Sequence, residues 1–436
     1  MTETPLPTPM VDALAALRAR PIPPTEKGFG AWPAGEPASA AGLADTRPAL
    51  REAGFSYPLM TLHEPALRHN VTGMADYCAA AGVLLAPHGK TTMAPQLAAA
   101  QLGAGAWAIT VATLGQLRAY REFGVPRLLL ANELVDEAGI GWLAGELAAD
   151  PDFEAYCYVD SLAGVAVLDA ALSRRPAGRK LPVLVEYGHA NGRTGARTIA
   201  EAVAVAEAAA TTSTLRLAGV AGYEGGLGHD ASPASLTAVT EYCRALHGLF
   251  NTLQDKGILA EQAILSAGGS LYFDIVVREL TAPCPTGARP RVVLRSGAYV
   301  THDHGVYHRV SPAERHLAGP LSLRPALELW AQVVSRPEPE LVLLTAGRRD
   351  VSFDEGLPVV LRACRRSGET TDVDGWQITA LNDQHAYLRL PADAELAVGD
   401  LIGLGISHPC TAFDKWRLIP VVDAEDRVVD VVHTFF

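Results

Sequence analysis

Leu84-Leu85-Ala86-Pro87-His88-Gly89-Lys90-Thr91-Thr92 runs from a short apolar segment into a Pro-His-x-Lys-Thr turn. A brief apolar run bounded by proline and glycine has the profile of a buried strand. Lys90 then stands at the C-terminal mouth of that strand. In an α/β barrel this end of each strand carries the chemistry. A lysine held there, out of water, loses its proton more readily and becomes an amine nucleophile. Taken alone, a solvated lysine at a strand end is the commoner meaning of such a residue.

Outward from Lys90 the pattern repeats. Apolar, strand-like runs end near Lys90, Val111, Asn132, Asp160, Tyr187, Tyr223, Ala267 and Arg295. Alanine-rich segments with helical spacing separate most of them, such as Leu114 to Phe123 and Ile199 to Ala210. This is the rhythm of βα units, and eight strands are the number that closes a (β/α)8 barrel. Upstream, Pro58 to Leu62 reads as a strand leading into a helix near Glu64-Pro65, where proline suits the first turn. Residues 1–56 are rich in Pro, Ala and Gly, with one helical pattern at Val11 to Arg18; they read as an extension wrapping the body or reaching a partner subunit. The barrel unit is expected over residues 57–316. Over residues 317–436 short alternating segments take over: Glu328 to Ser335, Leu341 to Ala346, Trp376 to Leu381, Ala386 to Leu390 and Leu401 to Ile406. These predict a mostly antiparallel β domain.

The bulk numbers exclude several classes. A chain of 436 residues with 49% hydrophobic and 19% charged residues has core enough for two domains. A net charge of -12 argues against nucleic acid and anionic membranes. No apolar run is long enough to span a bilayer, and no basic start followed by an apolar stretch marks a signal peptide. The 6 cysteines are scattered without a C-x-x-C pair, which fits reduced thiols in the cytoplasm.

Ser266-Ala267-Gly268-Gly269-Ser270 follows the seventh strand, and Ser296-Gly297-Ala298 the eighth. Glycines let a backbone approach an anion closely, and barrel phosphate sites favour these two loops. Gly268, Gly269, Ser270, Ser296 and Gly297 are therefore candidates for a phosphate cup. After the fifth strand, Gly188-His189-Ala190-Asn191-Gly192-Arg193-Thr194-Gly195 puts Arg193 at the same mouth, and Tyr223 follows the sixth strand. Near the C-terminus, Gly405-Ile406-Ser407-His408-Pro409-Cys410-Thr411 pairs an imidazole with a thiol. In an extended chain residues i and i+2 project to one side, so His408 and Cys410 could face one ion. Both are good zinc ligands, although a two-ligand motif is weak on its own. Thr301-His302-Asp303-His304 also has the look of a metal cluster, and Asn382-Asp383-Gln384-His385 brings an acid and a histidine together.

The Pro-His-x-Lys-Thr tetrad resembles the Schiff-base lysine motif of the fold-type III pyridoxal-phosphate enzymes, in their D-serine dehydratase and D-threonine aldolase branch. The resemblance runs from about Tyr57 to the C-terminus. It implies an alanine racemase-like barrel with a C-terminal β domain, and pyridoxal 5'-phosphate on Lys90. It implies that Arg193 contacts the cofactor ring oxygen, that Tyr223 lies near the cofactor, and that His408 and Cys410 hold a divalent metal, expected to be zinc. His385 is expected to position the metal water or shuttle a proton. There are departures: the family's Lys-Thr-His-Lys reads Lys90-Thr91-Thr92-Met93 here, and Ala412-Phe413-Asp414-Lys415-Trp416 differs from the best-known dehydratases.

The chemistry implied is loss of water from a small β-hydroxy D-amino acid, of D-serine, D-threonine or hydroxyaspartate type, to a keto acid and ammonia. The cofactor is the electron sink, Lys90 takes the α-proton, and the metal makes the β-hydroxyl a better leaving group. Retro-aldol cleavage to glycine and an aldehyde uses the same parts, but the aldolases typically carry aspartate where Cys410 stands. An amino-acid racemase would not need the metal pair. A non-catalytic pyridoxal-phosphate carrier would lack the domain after Leu317. The resemblance also implies a homodimer.

Overall fold

A computed structural model describes residues 4–30, 38–51, 54–260, 262–285, 287, 289–315 and 319–436. Leu84–Leu85 is the first of eight parallel strands, followed by Ile109–Val111, Arg127–Glu133, Glu154–Val159, Leu181–Tyr187, Leu215–Gly222, Ile264–Ala267 and Arg291–Leu294. The eighth strand pairs with the first through Leu294 and Leu85. The ring closes on the other side by hydrogen bonds from Trp107 N to Leu85 O (2.7 Å) and Thr110 N to Pro87 O (2.9 Å), with His88 bridging Thr110. The tetrad residues thus close the barrel as well as end its first strand. Ala86, Leu129, Tyr156, Leu184, Ala218, Ile264 and Val293 pack in one buried cluster among the strands. The strands are otherwise near-continuous apolar runs because both faces are covered.

Capping residues fix where the helices begin. Thr113, Asp136, Ser161, Thr198 and Ser232 each accept the backbone N–H three residues on, opening Leu114–Glu122, Glu137–Ala149, Leu162–Arg174, Ile199–Thr211 and Pro233–Asp255. Each cap contributes about 1 kcal/mol and ends a loop at the mouth of the barrel.

The second sheet is mostly antiparallel, in the order Thr370–Thr371, Val359–Cys364, Leu401–Gly405, Leu327–Glu338, Leu341–Leu344, Ala386–Arg389, Gln377–Leu381. Leu418–Val422 and Val428–His433 extend it. The strand Leu59–His63, expected at the head of the barrel unit, lies here instead. It pairs antiparallel with Leu327–Glu338 and parallel with Leu418–Val422. After the N-terminal extension the chain therefore passes through the second sheet and enters the barrel along the helix Glu64–Ala81. The boundary expected at residues 316–317 lies outside the described residues.

The N-terminal extension wraps both units. Met10 of the helix Thr8–Arg18 is buried against Gly124 of the barrel, in the core cluster that runs through both units, whereas Phe29, Leu43 and Phe55 pack with Trp330 and Val431 of the second sheet. Lys27 pairs with Asp350 at 2.6 Å and lies 3.9 Å from the Trp416 ring centre. No helix among the described residues is long and apolar enough to cross a membrane.

Glu328 ties three strands of the second sheet together. It is 3% exposed, accepts from Arg362 Nε (2.8 Å) and Nη2 (2.6 Å), and meets His63 Nε2 at 2.8 Å. Burial opposes its ionisation, but Arg362 and His63 prevail and hold its carboxyl below the ordinary range. Glu328→Gln leaves Arg362 with Asp426 as its remaining carboxylate, bound at 2.8 and 2.9 Å, and the lost charge-assisted bonds cost about 2 kcal/mol. Because the folded-state value is depressed, the contribution is complete above the unfolded carboxyl value of about 4.3 and is lost as pH falls through the folded one. Urea midpoints of wild type and variant are expected to differ at pH 7 and to converge in acid.

Candidate active site

A cavity of about 490 Å3 opens at the C-terminal end of the barrel. A larger groove, of about 750 Å3, lies outside along the helix Glu64–Ala81, but the chemistry-bearing groups converge in the smaller one. Lys90, Arg193 and Tyr223 line it, as expected from their strand ends. So do Gly268, Gly269, Ser270 and Gly297 from the two small-residue loops, and His408 and Cys410 from the second sheet's side.

Lys90 sits in the 3-10 turn Gly89–Thr91. Tyr120 OH donates to Gly89 O at 2.8 Å, and the tyrosine ring leaves no room for a side chain at 89, where a Cβ would come within 2.6 Å. Among the described residues Lys90 Nζ has no hydrogen bond or ion pair, and the Arg193 guanidinium has only the Tyr223 ring, 4.4 Å away. Arg295 is committed elsewhere, to Ser266 Oγ and Gly222 O. Burial, with Lys90, Arg295 and Arg193, holds His88 well below the usual imidazole range, so it is neutral. Two cations without carboxylate partners in one cavity make a site for an anion.

The phosphate cup differs from the expected one in detail. The amides of Gly268 and Gly269 are not free: Glu224, fully buried, accepts both, at 3.0 and 2.5 Å. Its carboxylate shapes the loop instead of leaving it to a ligand. Ser296 is buried behind the cavity, its Oγ 3.4 Å from Gly269 O. Ser270 Oγ accepts from Ala298 N at 3.3 Å and so joins the two loops. No hydrogen bond among the described residues uses the N–H of Ser270 or Gly297. At Gly297 a Cβ would fall 2.6 Å from His88 O, so only glycine brings this loop against the lysine turn.

His408 and Cys410, the pair expected to hold a metal, line the same cavity. Cys410 begins the short helix Cys410–Phe413 rather than lying on an extended strand, yet its thiol still meets the His408 side chain. His408 Nδ1 contacts Asp354 Oδ2 at 2.7 Å, and Thr411 Oγ1 donates to Asp354 Oδ1 at 2.6 Å. Burial would lower the His408 imidazole, but Cys410 and Asp354 raise it to about 9, so an ion binding its Nε2 would displace a proton. Burial would raise the Cys410 thiol, but His408, Thr91 and Lys90 outweigh it and lower it toward the thiolate. Cys410 Sγ stands 3.5 Å from Thr91 Oγ1, one residue from Lys90.

His385 does not join this group. It is exposed in the turn between Gln377–Leu381 and Ala386–Arg389, where only its carbonyl is engaged, by Asn382 N. Two carboxyls inside the barrel had gone unremarked in the sequence. Glu186 lines the cavity and Glu133 lies beside it, with both Glu133 side-chain oxygens buried and unpartnered. Burial, then Glu186 and Asp160, push Glu133 up to about 8.

Comparison with known proteins matches this arrangement. The alanine racemase N-terminal domain matches residues 62–274, and the putative serine dehydratase domain matches residues 326–422. The chain belongs to the fold-type III pyridoxal-phosphate enzymes, in the D-serine dehydratase and D-threonine aldolase branch. A D-threonine aldolase of Arthrobacter sp. is 25% identical over 375 residues, covering 86% of this chain and 90% of its own. A 3-hydroxy-D-aspartate aldolase of Paracoccus denitrificans is 26% identical over 348 residues, 77% of this chain and 85% of its own. The D-threo-3-hydroxyaspartate dehydratase of Delftia sp. HT23 superposes with a TM-score of 0.69 at 20% identity, over 87% of this chain and 97% of its own. A cysteine-to-alanine variant of that dehydratase is known in a metal-free form.

The residues present fit the family's cofactor. Lys90 and Arg193 lack counter-charges, Ser270 and Gly297 offer unclaimed N–H donors, and Glu133 and Glu186 present orphaned carboxyl oxygens within the barrel. His88 and Thr91 were within reach of the sequence, as neighbours of Lys90. Asp354 and Tyr307, which also borders the cavity, carried no motif. Residues that orient a metal ligand typically control affinity 10–100-fold. Asp354→Ala is therefore expected to weaken divalent-metal binding by about that factor, read by chelator competition, with the fold intact by circular dichroism.

Proposed function

We propose that this chain is a lyase of β-hydroxy D-amino acids that uses pyridoxal phosphate and a divalent metal, and that it releases a keto acid and ammonia. The observation that carries this reading is the imidazole and thiol of His408 and Cys410 facing Lys90 across one cavity. Pyridoxal phosphate held through Lys90 would supply an electron sink for charge developing at Cα. A divalent ion held by His408 and Cys410 would supply Lewis acidity toward the β-hydroxyl.

This chain's own residues do the rest. Ser270 and Gly297 bind the phosphate by their free N–H groups. Arg193, stacked on Tyr223, binds an anionic oxygen at the barrel mouth. Lys90 Nζ takes the proton from Cα as the β-hydroxyl departs, so that proton and hydroxyl leave together as water. Glu133, pushed up by burial and by Glu186, holds a proton inside the barrel. Asp354 fixes the His408 ring, and the Cys410 thiolate favours a soft ion, zinc over magnesium or manganese. His385, exposed and away from its own cavity, is available to a neighbouring copy, which fits a homodimer. Six free thiols fit a reducing, cytoplasmic setting.

Retro-aldol cleavage is the second reading, favoured by the names of the two curated relatives. Against it stands Cys410, since aspartate is the usual partner of the histidine in the aldolases that the lysine motif resembles. The test is a product assay of metal-loaded protein with D-serine, D-threonine and the hydroxyaspartate isomers. Ammonia with a keto acid, absent in Lys90→Ala, is the expected result. Glycine with an aldehyde would replace the dehydratase by the aldolase.

A further inference from the structure

We propose that His302, His308 and Glu314 form a second divalent-metal site, separate from His408 and Cys410, that fastens the loop presenting Tyr307 to the cavity. One donor atom of each residue lies within 4.8 Å of the other two. Glu314 aims one oxygen at each imidazole: Oε1 is 3.1 Å from His302 Nε2 and Oε2 is 3.7 Å from His308 Nδ1. The second separation is too long for a direct hydrogen bond, so the exposed His308 ring faces Glu314 across a gap. An ion between the three engages all of them. Two imidazoles and a carboxylate are a zinc donor set, with a fourth position left for water.

The backbone is arranged for this convergence. His302 is 1% exposed and adopts φ 46°, a left-handed conformation rare outside glycine that persists only where its surroundings hold it. His308 lies on the helical turn Val306–Val310, and Glu314 follows, beside Arg315, which is anchored to Val310 O at 2.9 Å and to Asp274 at 3.4 Å. His304 is not a ligand; its ring packs against Gly405. The loop between the ligands is functional ground. Asp303 Oδ1 accepts the N–H groups of Gly305, Tyr307 and His308, and the Tyr307 ring sits 6.3 Å from that of His408. An ion at the three residues would close this loop at both ends and set Tyr307 against the cavity.

The proposal does not rest on the lyase reading, and binding stoichiometry tests it without turnover. Chelator-stripped His408→Ala/Cys410→Ala protein, shown folded by circular dichroism, is titrated with Co(II). The expected result is about one equivalent bound, with visible d–d absorption and no thiolate charge-transfer band, and its loss on adding His308→Ala. No Co(II) binding, or binding indifferent to His308→Ala, overturns the site. If the double variant misfolds, Glu314→Gln in the otherwise native chain serves. Bound Co(II) should then fall from two equivalents to one with the thiolate band unchanged. An unchanged total, or a lost thiolate band, overturns the proposal.

Discussion

The turn His88–Thr92 meets the loop Ser407–Thr411 where Cys410 Sγ stands 3.5 Å from Thr91 Oγ1, and the rest of the site hangs on this seam. The lysine belongs to the barrel and the imidazole and thiol to the other unit, so neither alone holds both. The seam is made secure by threading. Leu59–His63 is built into the second sheet, and the helix Glu64–Ala81 leads straight from it to the lysine strand. The barrel's first strand is therefore tethered to the second sheet by the chain itself. The Glu328–Arg362–His63 network locks that tether from the far side.

The site departs from what stability alone would select. Lys90 and Arg193 share a cavity with no carboxylate partner for either among the described residues, Glu133 keeps two buried oxygens without a hydrogen bond, and the half-buried Cys410 is drawn toward a thiolate. The buried Glu133 carboxyl and the Cys410 thiolate each cost free energy when taken alone. Such violations cluster where a charged ligand offsets them. Elsewhere polar groups are satisfied with care: Glu224 is buried but closes two amides, and Arg295 is buried but donates to a hydroxyl and a carbonyl.

Much of this was legible in the residues. All eight barrel strands lie on apolar runs marked in the sequence, because strands covered on both faces carry an uninterrupted signal. Lys90, Arg193, Tyr223, His408 and Cys410 were marked by motifs and lie together. What was hidden depended on partners distant in sequence. Five residues of Leu59–His63 do not say which sheet they join. Pro420 disguises Leu418–Val422, since proline is unusual inside a strand. Glu224 looked like a neighbour of Tyr223 until its contacts with Gly268 and Gly269 became visible. Asp354 sits in an ordinary loop and matters only because His408 folds onto it. His385 shows the reverse error, a suggestive acid-and-histidine segment that lands on an exposed hairpin.

The central claim is that one cavity holds both the amine of Lys90 and a metal on His408 and Cys410. Anomalous diffraction at the zinc edge, from crystals grown with zinc and pyridoxal phosphate, tests it directly. The account predicts an ion about 2.0–2.1 Å from His408 Nε2 and about 2.3 Å from Cys410 Sγ, beside density continuous with Lys90 Nζ. Density on Lys90 with no ion at His408 and Cys410, or an ion there with Lys90 unmodified, would contradict it.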